Sequence, residues 1–182
     1  MIAWLLVVLV SATSVEPSQA SRAIADESRL AAARYIITHE IRWLAQAGLP
    51  RSSERLGFCL GTTMKSVASG SAPTTSEGFD ASFRDIVAPS SAFLSKLRDD
   101  AFDVFGAPGC QQNALGVPTD AASGRATRGA ISIGPVYEVD ATHVDVLVRI
   151  VRNLSSAEGS VLHLERRRDG WQVVGGYLVW GS

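Results

Sequence analysis

The chain has 182 residues, of which 46% are hydrophobic and 19% are charged, so it can form one globular domain and is not a disordered segment. Its 17 basic residues are balanced by 18 acidic ones, which leaves no broad positive field and argues against nucleic-acid binding. The densest basic run, Arg166–Arg168, precedes a turn signal and is better explained as a solvated hairpin end.

The N-terminal segment is typical of a cleavable secretion signal. Ile2–Val10 is an apolar run too short to span a bilayer. The stretch at 18–20 reads Ser-Gln-Ala, with small residues at the two positions that a signal peptidase reads, so we expect a signal peptide of residues 1–20 and a single mature domain of residues 21–182. Ala12 offers a poorer cleavage site. No Lys or Arg precedes the apolar run, and a buried N-terminal strand is the alternative interpretation.

The two cysteines agree with export. Cys59 and Cys110 are too far apart for a CxxC redox pair or a zinc knuckle. In an oxidising compartment the expected state is one disulfide between them. Two buried free thiols are the alternative. We expect neither a metal nor another cofactor.

The first mature element is predicted to be a long helix from about Asp26 to Ala47. Its apolar residues recur at three- and four-residue steps, which makes one apolar stripe. The stripe consists of Leu30, Ala33, Ile37, Ile41 and Leu44. A short strand is expected at Leu56–Leu60, followed by a mobile loop at 66–78, where small and polar residues show no apolar period.

The middle of the chain gives weaker signals. Phe93, Leu94 and Leu97 form one apolar side, which predicts a short helix at Ser91–Arg98 with Ser90 or Ser91 as its cap. From Gly106 to Gly129 the composition indicates irregular, turn-rich structure around Cys110.

The last third predicts an antiparallel meander. The first expected strand is Ala130–Gly134, which is broken by Pro135 and resumes at Val136–Val139. The following strands are His143–Arg152, Ser160–Arg168 and Trp171–Trp180. Asp169-Gly170 is a strong hairpin signal, because both residues accept the positive φ of a type I′ turn. The expected fold is therefore α+β, with the long N-terminal helix packed on a curved antiparallel sheet.

That hairpin also predicts which side chains share a face. It pairs Arg168 with Trp171, and hence Leu164 with Gly175 and His163 with Gly176. One face then carries Leu162, Leu164, Trp171, Val173, Tyr177 and Val179 beside Val144, Val146, Val148 and Ile150. The other carries Val161, Val174, Leu178, Trp180, Leu147 and Val151, mixed with Asp145, Arg149, His163 and Glu165. Because this second face is partly apolar, we expect a loop, a second subunit or a ligand to cover it.

One histidine is a candidate for chemistry. In the predicted register His163 faces a glycine, with Arg149 on the neighbouring strand and Glu165 on its own strand. A histidine between a carboxylate and a cation is able to bind a ligand or act as a general base. The alternative is a surface histidine in an ordinary cross-strand charge ladder.

Several stretches suggest a resemblance. They are Ile133–Val136, Leu164–Arg167, Gly170–Val174 and Leu178–Ser182, together with Phe58–Leu60. In these the chain resembles small exported bacterial domains of unknown function and, more distantly, is similar to the cystatin and nuclear-transport-factor-two-like α+β cones. The resemblance implies the fold. Active members of the cone superfamily use an Asp or His inside the cone; the resemblance assigns no residue here to that role, and His163 is noted only for its position on the sheet.

These observations favour an exported, non-enzymatic binding or interaction domain. The alternative is a small cone-type isomerase or hydrolase that uses the polar surroundings of His163. The expected partners are a small ligand, an envelope protein, or a second copy that binds through Val161, Val174, Leu178 and Trp180. The sequence does not identify the ligand.

Overall fold

The computed structural model describes residues 18–46, 55–63, 67–68, 70–99 and 102–182. Its helices are α1 (Gln19–Gln46), α2 (Ser76–Ala81) and α3 (Ser91–Leu97). Its strands are β1 (Leu56–Thr63), β2 (Ile86–Val87), β3 (Phe102–Gly106), β4 (Cys110–Gln112), β5 (Pro118–Asp120), β6 (Ala130–Glu138), β7 (His143–Asn153), β8 (Ser156–Arg167) and β9 (Gly170–Gly181). Most of the predicted signal segment lies outside the described residues, and α1 begins two residues before Ser21.

The main sheet has the strand order β2-β1-β6-β7-β8-β9, with β3 paired to β1 beside β2. The meander β6 to β9 is antiparallel, as expected. However, β1 runs parallel to both β3 and β6, so the sheet is mixed. Parallel pairing requires long connections, and the segments that hold α2, α3, β4 and β5 provide them. The predicted α+β class is confirmed.

Helix α1 covers one side of this sheet, which we call the first face. Its small and branched residues Ala32, Ala33, Ile36 and Ile37 are buried. They belong to the same core as the predicted row Val144, Val146, Val148 and Ile150. Each branched aliphatic side chain that is buried in this way contributes about 1.5–3 kcal/mol. None of the described helices is long and apolar enough to cross a membrane.

A charged pair fixes the C-terminal half of α1 to the sheet. Glu40 is buried and accepts two hydrogen bonds from Arg152 of β7, at 3.0 Å from Nε and 2.6 Å from Nη2. Glu158 of β8 lies 3.4 Å from the same guanidinium. The hydrogen bond that Arg152 donates to Glu40 raises the pKa of Arg152 and burial lowers it, and the net effect is a raised pKa.

The hairpin between β8 and β9 differs from the prediction. Arg167 pairs with Gly170, so the loop is Arg168-Asp169 and not Asp169-Gly170. Of the turn residues only Gly170 takes a positive φ, at +108°, so Asp169 does not adopt the conformation that a type I′ turn requires of it. Glycine adopts that conformation at the lowest cost, and the loop lies one residue closer to the N-terminus than predicted.

Two irregularities in β9 then change which residues share a face. Leu164 pairs with Val173 but His163 pairs with Gly175, so Val174 is an extra residue, and a second shift leaves Val179 extra. The first shift moves Tyr177 to the second face, the side opposite α1, and Leu178 to the first face. Both assignments in the predicted list were therefore wrong.

The second face is covered in part by the chain itself. Phe79 of α2 and the following Phe83 pack on Leu147 and Val161, with Ala72 at the margin. Thr75 caps α2, since its Oγ1 accepts a hydrogen bond from the Gly78 amide at 3.3 Å. The predicted loop at 66–78 therefore ends earlier than expected, because residues 76–78 belong to α2.

This cover also removes the predicted apolar dimer patch. Val161 is fully buried, Trp180 packs edge-on against Phe79 with ring centroids 6.3 Å apart, and Leu178 lies on the other face. The four residues do not form one surface, because the bulges separate them and α2 covers two of them.

The predicted disulfide between Cys59 and Cys110 is confirmed. It links β1 to β4, which pairs with β5 in a small two-stranded sheet. The segment at 106–129 is therefore more regular than expected. The covalent link holds this small sheet to β1, the strand next to one edge of the large sheet.

Candidate binding site

A polar cluster occupies the open end of the second face. Asp145 of β7 and His163 of β8 lie directly opposite each other in the ladder, so both side chains project to the same side. His163 Nδ1 is 2.6 Å from Asp145 Oδ1. The His163 side chain is 43% exposed and that of Asp145 is 17% exposed, so a ligand in solvent has access to the imidazole while the carboxylate is largely covered.

Tyr177 of β9 completes this group, and we refer to Asp145, His163 and Tyr177 as the His163 cluster. The Tyr177 and His163 rings are 5.6 Å apart between centroids. Burial, and secondarily the negative charge of Asp145, raise the pKa of the Tyr177 phenol. Its hydroxyl therefore stays protonated at neutral pH and is able to donate a hydrogen bond.

A glycine lies opposite His163, as the sequence predicted, but it is Gly175 and not Gly176. A Cβ built on Gly175 would meet His163 Cδ2 at 3.7 Å, which is ordinary van der Waals contact. The absent side chain thus leaves one face of the imidazole uncovered. A methyl group would fit there without displacing the backbone.

Of the other two predicted site residues, Arg149 lies apart from His163, whereas Glu165 lies two residues further along the same strand. Arg149 is opposite Gly159, and one further pair, Leu147 with Val161, separates it from the Asp145–His163 pair. Its guanidinium lies 5.1 Å from the centroid of Phe83, and its buried Nε has no hydrogen-bond partner. The predicted combination of Arg149 with His163 is therefore wrong.

Glu165 also has another partner. It pairs in the ladder with His143 and accepts a hydrogen bond from Arg167 Nε at 2.9 Å. The acid that contacts His163 is thus Asp145 and not the predicted Glu165. Sequence alternation had placed Asp145 on the correct face, but only the true strand register shows that it is the cross-strand neighbour of His163.

The geometry fixes the chemistry of the imidazole. A carboxylate accepts hydrogen bonds and does not donate them, so the proton between the two groups belongs to His163 Nδ1. In the neutral ring Nε2 is then the acceptor. The cluster therefore offers an acceptor nitrogen, a phenol donor and an aromatic surface within one exposed area.

A second histidine, His143, belongs to a turn and not to this cluster. Its Nδ1 lies 2.9 Å from Asp140 Oδ2, and its amide also donates to Asp140. Hydrogen bonds from the Thr142 amide, from His143 and from the Thr142 hydroxyl lower the pKa of Asp140 from 3.8 to about 2. Asp140 is thus the capping residue of the β6–β7 turn.

Within the part of the chain that the structure describes, no three His, Cys, Asp or Glu residues are grouped so that they could hold a metal ion. No protein-family model matches the chain. No curated protein and no solved structure matches it either. The residues of the His163 cluster are therefore the basis on which a function is proposed.

Proposed function

We propose that the protein is an exported, non-enzymatic binding domain that holds a small polar ligand at the His163 cluster. The observation that carries this proposal is the 2.6 Å contact between His163 Nδ1 and Asp145 Oδ1. It orients the ring and reserves Nε2 as an acceptor. The ligand class is a molecule with hydroxyl or amine donors that also packs on the Tyr177 ring.

Export rests on separate observations. The apolar N-terminal segment followed by Ser-Gln-Ala at 18–20 supports a signal peptide. The Cys59–Cys110 disulfide is compatible with an oxidising compartment such as the periplasm. Mass spectrometry of the protein from its own host would show a chain that starts at Ser21. A chain that retains Met1 would overturn this part of the proposal.

Ligand binding is tested with known probes. Amide correlation spectra of the mature protein are recorded with a panel of monosaccharides, polyols and primary amines at millimolar concentration. We expect shifts at His163, Gly175 and Tyr177 with at least one class. The same shifts should disappear in His163→Ala and weaken in Gly175→Ala, because the added methyl group covers the ring.

The controls for this experiment lie on the same molecule. His143→Ala removes an exposed histidine outside the cluster and should leave the shifts unchanged. The proposal is overturned if no member of the panel perturbs the three residues, or if His163→Ala leaves the perturbations in place.

A second candidate is a small isomerase or hydrolase with His163 as general base. A carboxylate that orients an imidazole through Nδ1 is the arrangement that such bases use. Binding is favoured because the ring is open to water and its aromatic neighbour, Tyr177, stays protonated and is a poor nucleophile. Turnover of a panel compound that His163→Ala abolishes would establish the enzyme instead.

A further inference from the structure

The two edges of the main sheet are built differently. At one edge β2 has only two residues, and beside it β3 carries Asp103, which pairs with Arg55 and Arg125 at 3.4 and 2.8 Å. The other edge is β9, which has 12 residues without a charge or a proline. Short length and charged side chains are the usual protection of an edge strand against pairing. On that criterion β3 is protected and β9 is not.

Two exposed aromatic residues of α1 lie above this unprotected edge. Tyr35 and His39 are one helical turn apart and both are exposed. Tyr35 and His39 also stack, with ring centroids 6.2 Å apart. Between these two residues and Leu178 of β9, which is 61% exposed, lies a groove of about 270 Å³.

We propose that two copies of the chain associate through β9, antiparallel, about a two-fold axis perpendicular to the sheet. Gly175–Leu178 is the regular stretch between the two bulges, and it is where pairing is unobstructed. Because this axis is perpendicular to the sheet, the first faces of both copies lie on the same side of the joined sheet. Residues that lie opposite each other across the interface therefore belong to the same face. With the axis at Tyr177, each Leu178 lies opposite the partner's Gly176, where no side chain competes for the groove.

A second copy fits this surface better than an isolated peptide does. A peptide strand would lie in the plane of the sheet and leave the helix layer, about 10 Å above it, uncovered. A second copy brings its own α1, and with it a second Tyr35–His39 pair on the same side of the paired strands. Since β9 carries no charge, the isologous arrangement also opposes no like charges.

The area agrees with a weak, reversible dimer. With the axis at Tyr177, residues 173–181 of the two strands overlap, which spans about 30 Å, and two layers give a strip roughly 15 Å high. Such a strip buries on the order of 450 Å² per copy, which is the size of transient interfaces. This inference does not depend on the ligand proposed for the His163 cluster.

Sedimentation of the mature protein at tens of micromolar tests the proposal, and we expect a dimer. Leu178→Lys should raise the dissociation constant by at least about tenfold, because it places two like charges near the axis. Leu115→Lys is the matched control, since Leu115 is 72% exposed in the turn between β4 and β5, and it should leave the dimer intact.

A second variant keeps the test decisive if Leu178→Lys does not fold. Tyr35→Lys changes an exposed position of the helix layer and should weaken the dimer without altering the sheet. A wild-type protein that sediments as a monomer overturns the proposal. A dimer that both Leu178→Lys and Tyr35→Lys leave unchanged overturns it as well, because the interface then lies elsewhere.

Discussion

The two faces of the main sheet are covered in different ways. The first face is closed by one long helix whose buried residues are mostly aliphatic, and its buried acid, Glu40, is matched by Arg152. The second face is covered by short segments and carries two of the three buried donors that lack a partner among the described residues, Arg149 Nε and Trp180 Nε1. Unsatisfied buried donors cost stability, so the polar groups of the second face are less completely satisfied than those of the first, which carries one such donor, Trp171 Nε1.

The largest expected effect comes from the first face. Ile37 is a fully buried residue of α1 that faces the sheet. Ile37→Ala should lower the free energy of unfolding by about 2–5 kcal/mol, since it leaves a cavity in a rigid core. Chemical denaturation followed by circular dichroism measures this. Thr38→Ala, at an exposed position of the same helix, should change stability by less than about 0.5 kcal/mol. Equal effects for the two variants would contradict the role given to this face.

A smaller effect is expected where the second face is tightly packed. A Cβ at Gly159 would lie 2.5 Å from Phe79 Cε1 and 2.7 Å from Trp180 Nε1. Gly159→Ala should therefore cost about 1–3 kcal/mol and displace both rings. The emission of Trp180 should shift to the red as α2 moves away, measured in a background where the other tryptophans are replaced.

The control for that experiment is Gly175→Ala on the same face. Its new methyl group meets only His163 Cδ2, at contact distance, so stability and Trp180 emission should not change. If Gly159→Ala also leaves stability and Trp180 emission unchanged, then α2 does not pack on Trp180 and the second face is more open than described.

The smallest effect is expected outside both faces, at the β6–β7 turn. The pKa of Asp140 in the folded protein is about 2, below the usual 3.8, so its contribution to stability is present above pH 4 and is lost as the pH falls towards 2. The stability difference between the wild type and Asp140→Asn should narrow over that range. Denaturation at several pH values measures it, with Asp80→Asn of α2 as an exposed control. A difference that stays constant would show that Asp140 does not cap the turn.

Much of the first face could be predicted from the sequence, because its signals are periodic. Alternation identified Val144, Val146 and Val148 as one buried row, and helical spacing predicted the C-terminal end of α1 to within one residue. The parallel pairing of β1 could not be predicted in this way, since it depends on contacts between strands that are distant in the chain. The start of α1 at Gln19 also lies outside the predicted range, because its first turns are rich in alanine and lack a clear apolar stripe.

The candidate site was predicted only in part for a related reason. His163 and the glycine opposite it follow from the hairpin, but the identity of its neighbours depends on single-residue shifts. The extra residue Val174 brings Tyr177 to His163, and it also places Gly175 opposite His163, where the shifted turn alone would have placed Val174. Local composition does not determine where a bulge is placed, although the Gly175-Gly176 pair marked the strand as irregular.

The bulge at Val174 also affects how this surface can change during evolution. Point substitutions in β9 alter one side chain at a time, and loss of Val174 would restore strict alternation without changing any other pair, because Val173 and Gly175 would still lie opposite Leu164 and His163. Tyr177 would stay on the second face and Leu178 on the first. A one-codon deletion would thus leave the cluster in place and remove only the irregularity of the strand. Among relatives of this chain, a segment between Leu164 and Tyr177 that is one residue shorter should therefore still present the aromatic ring beside His163.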